Sequence, residues 1–178
     1  PDLVIVDAER SIIGNRKEEK PRSQWIYQYE HAPLYMDRYE SVSRIGDDLK
    51  GKEEEDMMVK ALDDPYWNIR ALALKRIGPV AKTNRPGLRT KIEQMATSDP
   101  KSLVREAAIK VLAKQYDDTT TQTLMAGAIN DSSYTVVKTA FDLLSDRSKE
   151  RAARVAPALE DESNDNVMDV LAAFYVSE

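Results

Sequence analysis

Hydrophobic residues recur along most of this chain at the spacing of one helix face. Val137, Ala140, Phe141 and Leu144 sit at i, i+3, i+4 and i+7, the stripe that a helix turns towards a core. Ile69, Leu72, Ala73 and Ile77 repeat the pattern, as do Val104, Ala108, Val111 and Leu112. Each stripe lies in one of four stretches with a shared layout: "ALDDPYWNIRALALKRI", "ATSDPKSLVREAAIKVL", "AINDSSYTVVKTAFDLL" and "ALEDESNDNVMDVLAAF". All open on Ala-x-x-Asp, at Asp64, Asp99, Asp131 and Asp161, which are 35, 32 and 30 residues apart. A period of that size predicts stacked structural repeats.

Within each unit the pattern predicts a helix ending at Ala-x-x, with Asp as the N-cap of a second helix. Pro65 and Pro100 then fall at the first helical position, where a missing N–H costs nothing. The first helices are expected near residues 53–62, 86–96, 120–129 and 149–159. An upstream unit fits more loosely, with "QWIYQYEHA" as its first helix and "APLYMDRYESVSRI" as its second. Helices of about 10–13 residues are marginal alone in water, so stacking must hold them. Asp64 and Arg70, like Asp99 and Arg105, stand six residues apart, which predicts a structural ladder between neighbouring repeats. Val137 and Val167 occupy the arginine place in the last two units, so the ladder should break towards that end. The pattern D-P-x-x-x-(I/V)-R-x-x-A resembles the HEAT family of helical repeats over residues 23–178. The resemblance implies an all-α fold, a right-handed α-α superhelix (HEAT/armadillo-like) of about five helix pairs.

The start of the chain breaks this frame. In "PDLVIVDAERSIIG", Leu3, Val4, Ile5 and Val6 form a continuous, mostly β-branched run, which predicts a buried strand. A lone strand leaves its backbone groups unpaired, so the rest of its sheet is expected elsewhere. With Pro1 rather than Met at the start, residues 1–22 are expected to be a strand remnant plus linker, and residues 23–178 the helical domain.

Composition narrows the chemistry. There is no cysteine and a single histidine, His31, so a His/Cys zinc site and a histidine-based triad lack their parts. His31 reads as a helix-terminal residue. No glycine-rich loop cradles phosphate, and the acids of Glu53–Asp56 suit the first turn of a helix. The net charge is −5, and residues 151–178 hold two basic and six acidic groups, which argues against a nucleic-acid groove. No run approaches the ~20 apolar residues of a membrane helix. One basic cluster stands out, Lys75, Arg76, Lys82, Arg85, Arg89 and Lys91, with no acid among them. Its members Lys82, Arg85, Arg89 and Lys91 are candidates for contact with an anion or peptide, beside a helix start whose free N–H groups favour negative charge. The aromatic residues concentrate early (Trp25, Tyr27, Tyr29, Tyr35, Tyr39, Tyr66, Trp67) and are expected in the core, between the first repeats or against a neighbour.

The segment "LVIVDAERSIIG…QWIYQYEHAPLYMDRYESV" resembles a junction in the aminopeptidase N-like zinc metallopeptidases, where a β-sandwich strand runs into a C-terminal helical domain. That resemblance implies a non-catalytic domain packed on the catalytic and β-sandwich domains of its own chain, shaping a chamber for peptide substrate. None of that family's catalytic motifs is present, so no cofactor is expected in this chain and zinc only in the wider enzyme; the compartment would be cytoplasm or bacterial periplasm. The competing reading is a free-standing HEAT-like scaffold that binds a protein or peptide partner. A third, a DNA-binding repeat, is disfavoured by the charge balance.

Overall fold

The computed structural model describes residues 3–5, 7, 9, 11, 18–83, 85–161 and 164–177. Among them are eleven α-helices and no strand. The chain divides into two units, Pro1–Val80 and Ala81–Glu178.

The first unit contains α1 (Arg22–His31), α2 (Tyr35–Gly46), α3 (Lys52–Ala61) and α4 (Trp67–Arg76). The α2 helix lies against α1, α3 and α4, and its Val42 and Ile45 are fully buried. Met57, Met58, Ile69 and Leu72 bring the stripes of α3 and α4 into the same interior. Gln28 is buried too, and its polar groups are satisfied: its amide donates to the Asp37 carbonyl at 2.9 Å, and it accepts from Lys20 Nζ at 2.7 Å. Across α1 and α3, Arg22 forks onto the Glu54 carboxylate. The four-residue α5 (Gly78–Ala81) leads into the second unit.

The second unit contains α6 (Leu88–Ser98), α7 (Ser102–Gln115), α8 (Thr119–Gly127), α9 (Tyr134–Arg147), α10 (Lys149–Val155) and α11 (Asp165–Val176). The α9 helix touches α7, α8, α10 and α11. Its Val137, Ala140, Phe141 and Leu144 are buried, and Phe141 meets Phe174 of α11 edge-on, with ring centroids 5.5 Å apart. The helices expected over 120–129 and 149–159 finish as tighter 3₁₀ turns, Ala128–Asn130 and Ala156–Leu159. The helix expected from Pro86 starts at Leu88 instead. Gly87 adopts φ 77°, a left-handed conformation that no helix continues and that glycine adopts without strain.

The repeated aspartates are not the N-caps expected of them; Tyr66, Lys101 and Ser133 hold those places, and no side chain caps them. Asp64, Asp99 and Asp131 each accept the N–H two residues on, from Tyr66, Lys101 and Ser133, at 2.8–2.9 Å. The helix starts only at the third residue after each Asp. Pro65 and Pro100 therefore sit in this preceding turn, not at the first helical position. At Asp64 and Asp99 the turn is also braced by the arginine six residues on, whereas Asp131 forms the same turn with Val137 at that place. Arg70 Nη1 donates to the Asp64 carbonyl at 2.9 Å, and Arg105 Nη1 to the Asp99 carbonyl at 2.8 Å, so those carbonyls stay outside the helical hydrogen-bond series.

The remaining guanidinium nitrogens reach into the next repeat. Arg105 Nε and Nη2 grip both oxygens of Asp131 at 2.7 and 2.6 Å. Arg38 does the same to Asp64 at 3.0 and 3.3 Å, while its Nη1 donates to the Pro33 carbonyl at 2.9 Å. Bidentate, charge-assisted pairs of this kind fix orientation as well as contributing energy. Burial alone would raise the Asp131 carboxyl pKa, but the Arg105 guanidinium and the Ser133 N–H outweigh it and hold the group below the usual range. In α9, Val137 takes the place that Arg105 has in α7 and is buried, while Asp161 is exposed.

The expected N-terminal strand does not form. Leu3, Val4, Ile5 and Asp7 are irregular, and Val6 lies outside the described residues. No second strand accompanies the run among the described residues, so β propensity has no ladder to join.

Replacing Arg105 by Met leaves a carboxylate at the Asp131 site with little solvent, and should cost about 3 kcal/mol in chemical denaturation. Asp131→Asn keeps the turn acceptor, so the double variant should recover part of that loss, with a coupling of about 1–3 kcal/mol. Because the folded pKa of Asp131 is lowered, its contribution is present above the unfolded value near ~4 and disappears as pH falls through the folded one. The stability gap between the natural chain and Asp131→Asn should therefore shrink in titrations taken below about pH 4.

Candidate functional site

The basic cluster is not one patch. Arg76, at the end of α4, pairs with Asp47 at 2.7 Å. Lys82 is exposed, and Arg85 and Lys91 are half-buried. Arg89 and Lys91 are two positions apart in α6, and so project from opposite sides of the helix. Arg89 is committed within the unit. Its Nη1 and Nη2 donate to Asp118 at 2.6 and 2.9 Å, its Nε donates to Glu93 at 2.8 Å, and the guanidinium lies 4.9 Å from the centre of the Tyr116 ring. Arg89 holds the Asp118 carboxyl far below the ordinary carboxylate range, aided by the Thr121 N–H that Asp118 caps at 2.9 Å. Asp118 is thus the anion that Arg89 grips. A 29-residue separation outside the repeat period left no signal of this pair in the sequence.

His31 ends α1, donates from Nδ1 to the Tyr27 carbonyl at 2.9 Å and stacks on the Tyr27 ring at 3.9 Å. Among the described residues no group of three or more His, Asp or Glu side chains is placed to hold a metal ion. Nor is any helix there long and apolar enough to cross a membrane.

The surface carries a repeated feature instead. Leu34 and Met36 at the start of α2, Tyr66 at the start of α4, Leu103 at the start of α7 and Tyr134 at the start of α9 are each 46–50% exposed. Large apolar side chains left in water near the starts of successive second helices are informative, unlike a single exposed leucine. In the first unit Tyr66 belongs to an aromatic cluster. Tyr35 lies 5.0 Å from Tyr66 and 5.8 Å from Tyr39, ring to ring, and its hydroxyl accepts from Asn68 at 2.7 Å. The Arg38 guanidinium stands 5.5 Å from the Tyr66 ring. Trp25 and Tyr29 do enter the core as their spacing suggested, but Tyr66 faces solvent. Periodicity alone misses this because Tyr66 precedes its helix and belongs to no stripe.

The second unit holds a groove of about 760 Å³ across α7, α9 and the start of α11. Glu106, Lys110, Tyr134, Lys138 and Asp142 line it, with Asn164 at one end. Glu106 pairs with Lys110 and accepts from Thr139 at 3.4 Å. The groove is polar, charged with both signs and bordered by an exposed tyrosine. It suits recognition of a polypeptide surface more than enclosure of a small molecule, for which pockets are mostly apolar.

Comparisons with known proteins agree with this architecture. One similar solved structure is a chain in the complex of CpcE and CpcF of phycocyanin lyase from Nostoc sp. PCC7120. It shares 12% identity, covers 86% of this chain and 97% of that one, and superposes with a TM-score of 0.61. At that identity the likeness shows the fold alone. No curated protein sequence matches. These findings overturn the expected kinship with aminopeptidase N-like zinc metallopeptidases, and with it the role of packing on a peptidase's catalytic domain. Helical repeats are what the comparisons match, and the strand on which the junction rested is absent from Leu3–Ile5. Nothing in them supports sandwich or catalytic domains of the same chain, or a peptide substrate, as partners. Residues 55–145, just over half of the chain, match the family described as HEAT repeats, and the chain belongs to that family.

Proposed function

We propose that this chain is a helical-repeat scaffold that holds a protein partner along the first turns of its second helices. The observation that carries the reading is the recurrence of exposed apolar anchors at or next to the first residue of α2, α4, α7 and α9, namely Leu34, Met36, Tyr66, Leu103 and Tyr134. Rigid aromatic side chains on a folded framework cost little entropy to immobilise, and they dominate protein interfaces. Around them stand charged groups suited to a polar rim, Lys138 and Asp142 among them. The similar solved chain comes from a two-protein complex, which supports a partner of this class. Each unit would supply exposed anchors on its own folded helices, and the partner would supply any chemistry.

The test uses the chain as bait, followed by titration of the partner it retains. Tyr66→Ala and Tyr134→Ala should each weaken binding about tenfold or more, with melting curves close to the parent's. Gln94→Ala, an exposed first-helix control on α6, should leave affinity unchanged. Affinity that survives both tyrosine substitutions but falls with the control would overturn the proposal.

A further inference from the structure

The tyrosine cluster of the first unit offers a partner more than apolar area, and its geometry narrows what can lie on it. Tyr35 and Tyr39 belong to α2, and Tyr66 immediately precedes α4, a helix that packs on α2. The cluster therefore runs across two successive second helices, along the side of the unit. Its rings are tilted, by 39° between Tyr35 and Tyr66 and by 47° between Tyr35 and Tyr39. Tilted rings leave wedges between their faces. Leu34 and Met36, the neighbours of Tyr35 in sequence, add apolar area that is nearly half exposed. Ring-to-ring steps of 5.0 and 5.8 Å set the outer two rings no more than about 11 Å apart. One turn of a polyproline II helix rises about 9 Å.

The polar groups discriminate further. The Tyr39 and Tyr66 hydroxyls have no hydrogen-bond partner among the described residues, and neither is buried. The Tyr35 hydroxyl accepts from Asn68 at 2.7 Å and so keeps its own proton to donate. A docked α-helix has its carbonyls engaged in its own hydrogen bonds, so these hydroxyls would lose water without gaining main-chain acceptors. A polyproline II segment makes no internal hydrogen bonds, and its carbonyls stand free. Proline adds a rigid ring that fits a wedge and brings no N–H in need of an acceptor. Aromatic clusters also take ammonium ligands, but here the Arg38 guanidinium already stands 5.5 Å from the Tyr66 ring, fixed by Asp64 and the Pro33 carbonyl. Resting on the scaffold reading above, we propose that this cluster receives a proline-rich segment of the partner in the polyproline II conformation. Its prolines lie between the tilted rings, and its carbonyls accept from the tyrosine hydroxyls.

Fluorescently labelled decaproline and an alanine-rich helical peptide of equal length provide the probes, each titrated with the whole chain. In fluorescence anisotropy decaproline should bind with a Kd below about 1 mM, and the helical peptide at least about tenfold more weakly. Tyr66→Ala should weaken decaproline binding about tenfold or more. Tyr39→Phe combined with Tyr66→Phe keeps both rings and removes two donors. That pair should weaken decaproline binding severalfold without moving the melting temperature. Tyr134→Ala, in the second unit, should leave it unchanged. Equal or tighter binding of the helical peptide, binding of neither peptide, or decaproline binding indifferent to Tyr66→Ala or to the paired phenylalanines would each overturn the proposal. If decaproline fails while a retained partner still depends on Tyr66 and Tyr134, the proline-rich assignment falls and the scaffold reading stands. A partner indifferent to both tyrosines removes the scaffold reading and this assignment with it.

Discussion

A helix of ten to fourteen residues does not hold itself in water, because too few hydrogen bonds follow a costly nucleus. Every helix described in this chain has that length or less. Each must therefore set its apolar stripe against a neighbour. In the second unit α9 shows how far this goes: it touches four other helices, and its Val137, Phe141 and Leu144 are buried among them. The repeat is the consequence. A hairpin that hides one face and offers another to its successor can be copied, with one turn geometry serving each copy.

That turn is where polar chemistry joins the packing. The aspartate carboxylate accepts the N–H two residues on, and at Asp64 and Asp99 the aspartate carbonyl accepts from the arginine six residues on. The same arginine, where it occurs in α2 and α7, clasps the aspartate of the following repeat. Three donors thus tie one turn to the next, leaving few polar groups unpaired at the seam. Arg89 serves a similar end outside the repeat pattern by binding Asp118, Glu93 and the Tyr116 ring together.

Much of this was legible from the residues. The Ala-x-x-Asp recurrence places the helix pairs, and the stripes on α4, α7 and α9 name core residues that are indeed buried. The Arg105–Asp131 pair follows from the period, since a 26-residue step is the 32-residue spacing of Asp99 and Asp131 less the six-residue offset. Three features were hidden for physical reasons. Asp118 lies at no repeat position, so nothing linked it to Arg89. The Leu3–Ile5 run has strand propensity without a partner strand, and propensity alone decides little. Tyr66, Leu103 and Tyr134 fall beside the stripes, where amphipathic counting is blind and only exposure reveals them. The kinship with zinc peptidases rested on that same unpartnered run and fell with it.

Hydrogen exchange in the native state gives the most direct check on helices that persist only by mutual burial. Phe141→Ala opens a cavity in α9 where it meets Phe174. If neighbours hold one another, amides of α7, α8, α10 and α11 should exchange faster together with those of α9. Acceleration confined to α9, with the surrounding helices as protected as before, would contradict the account.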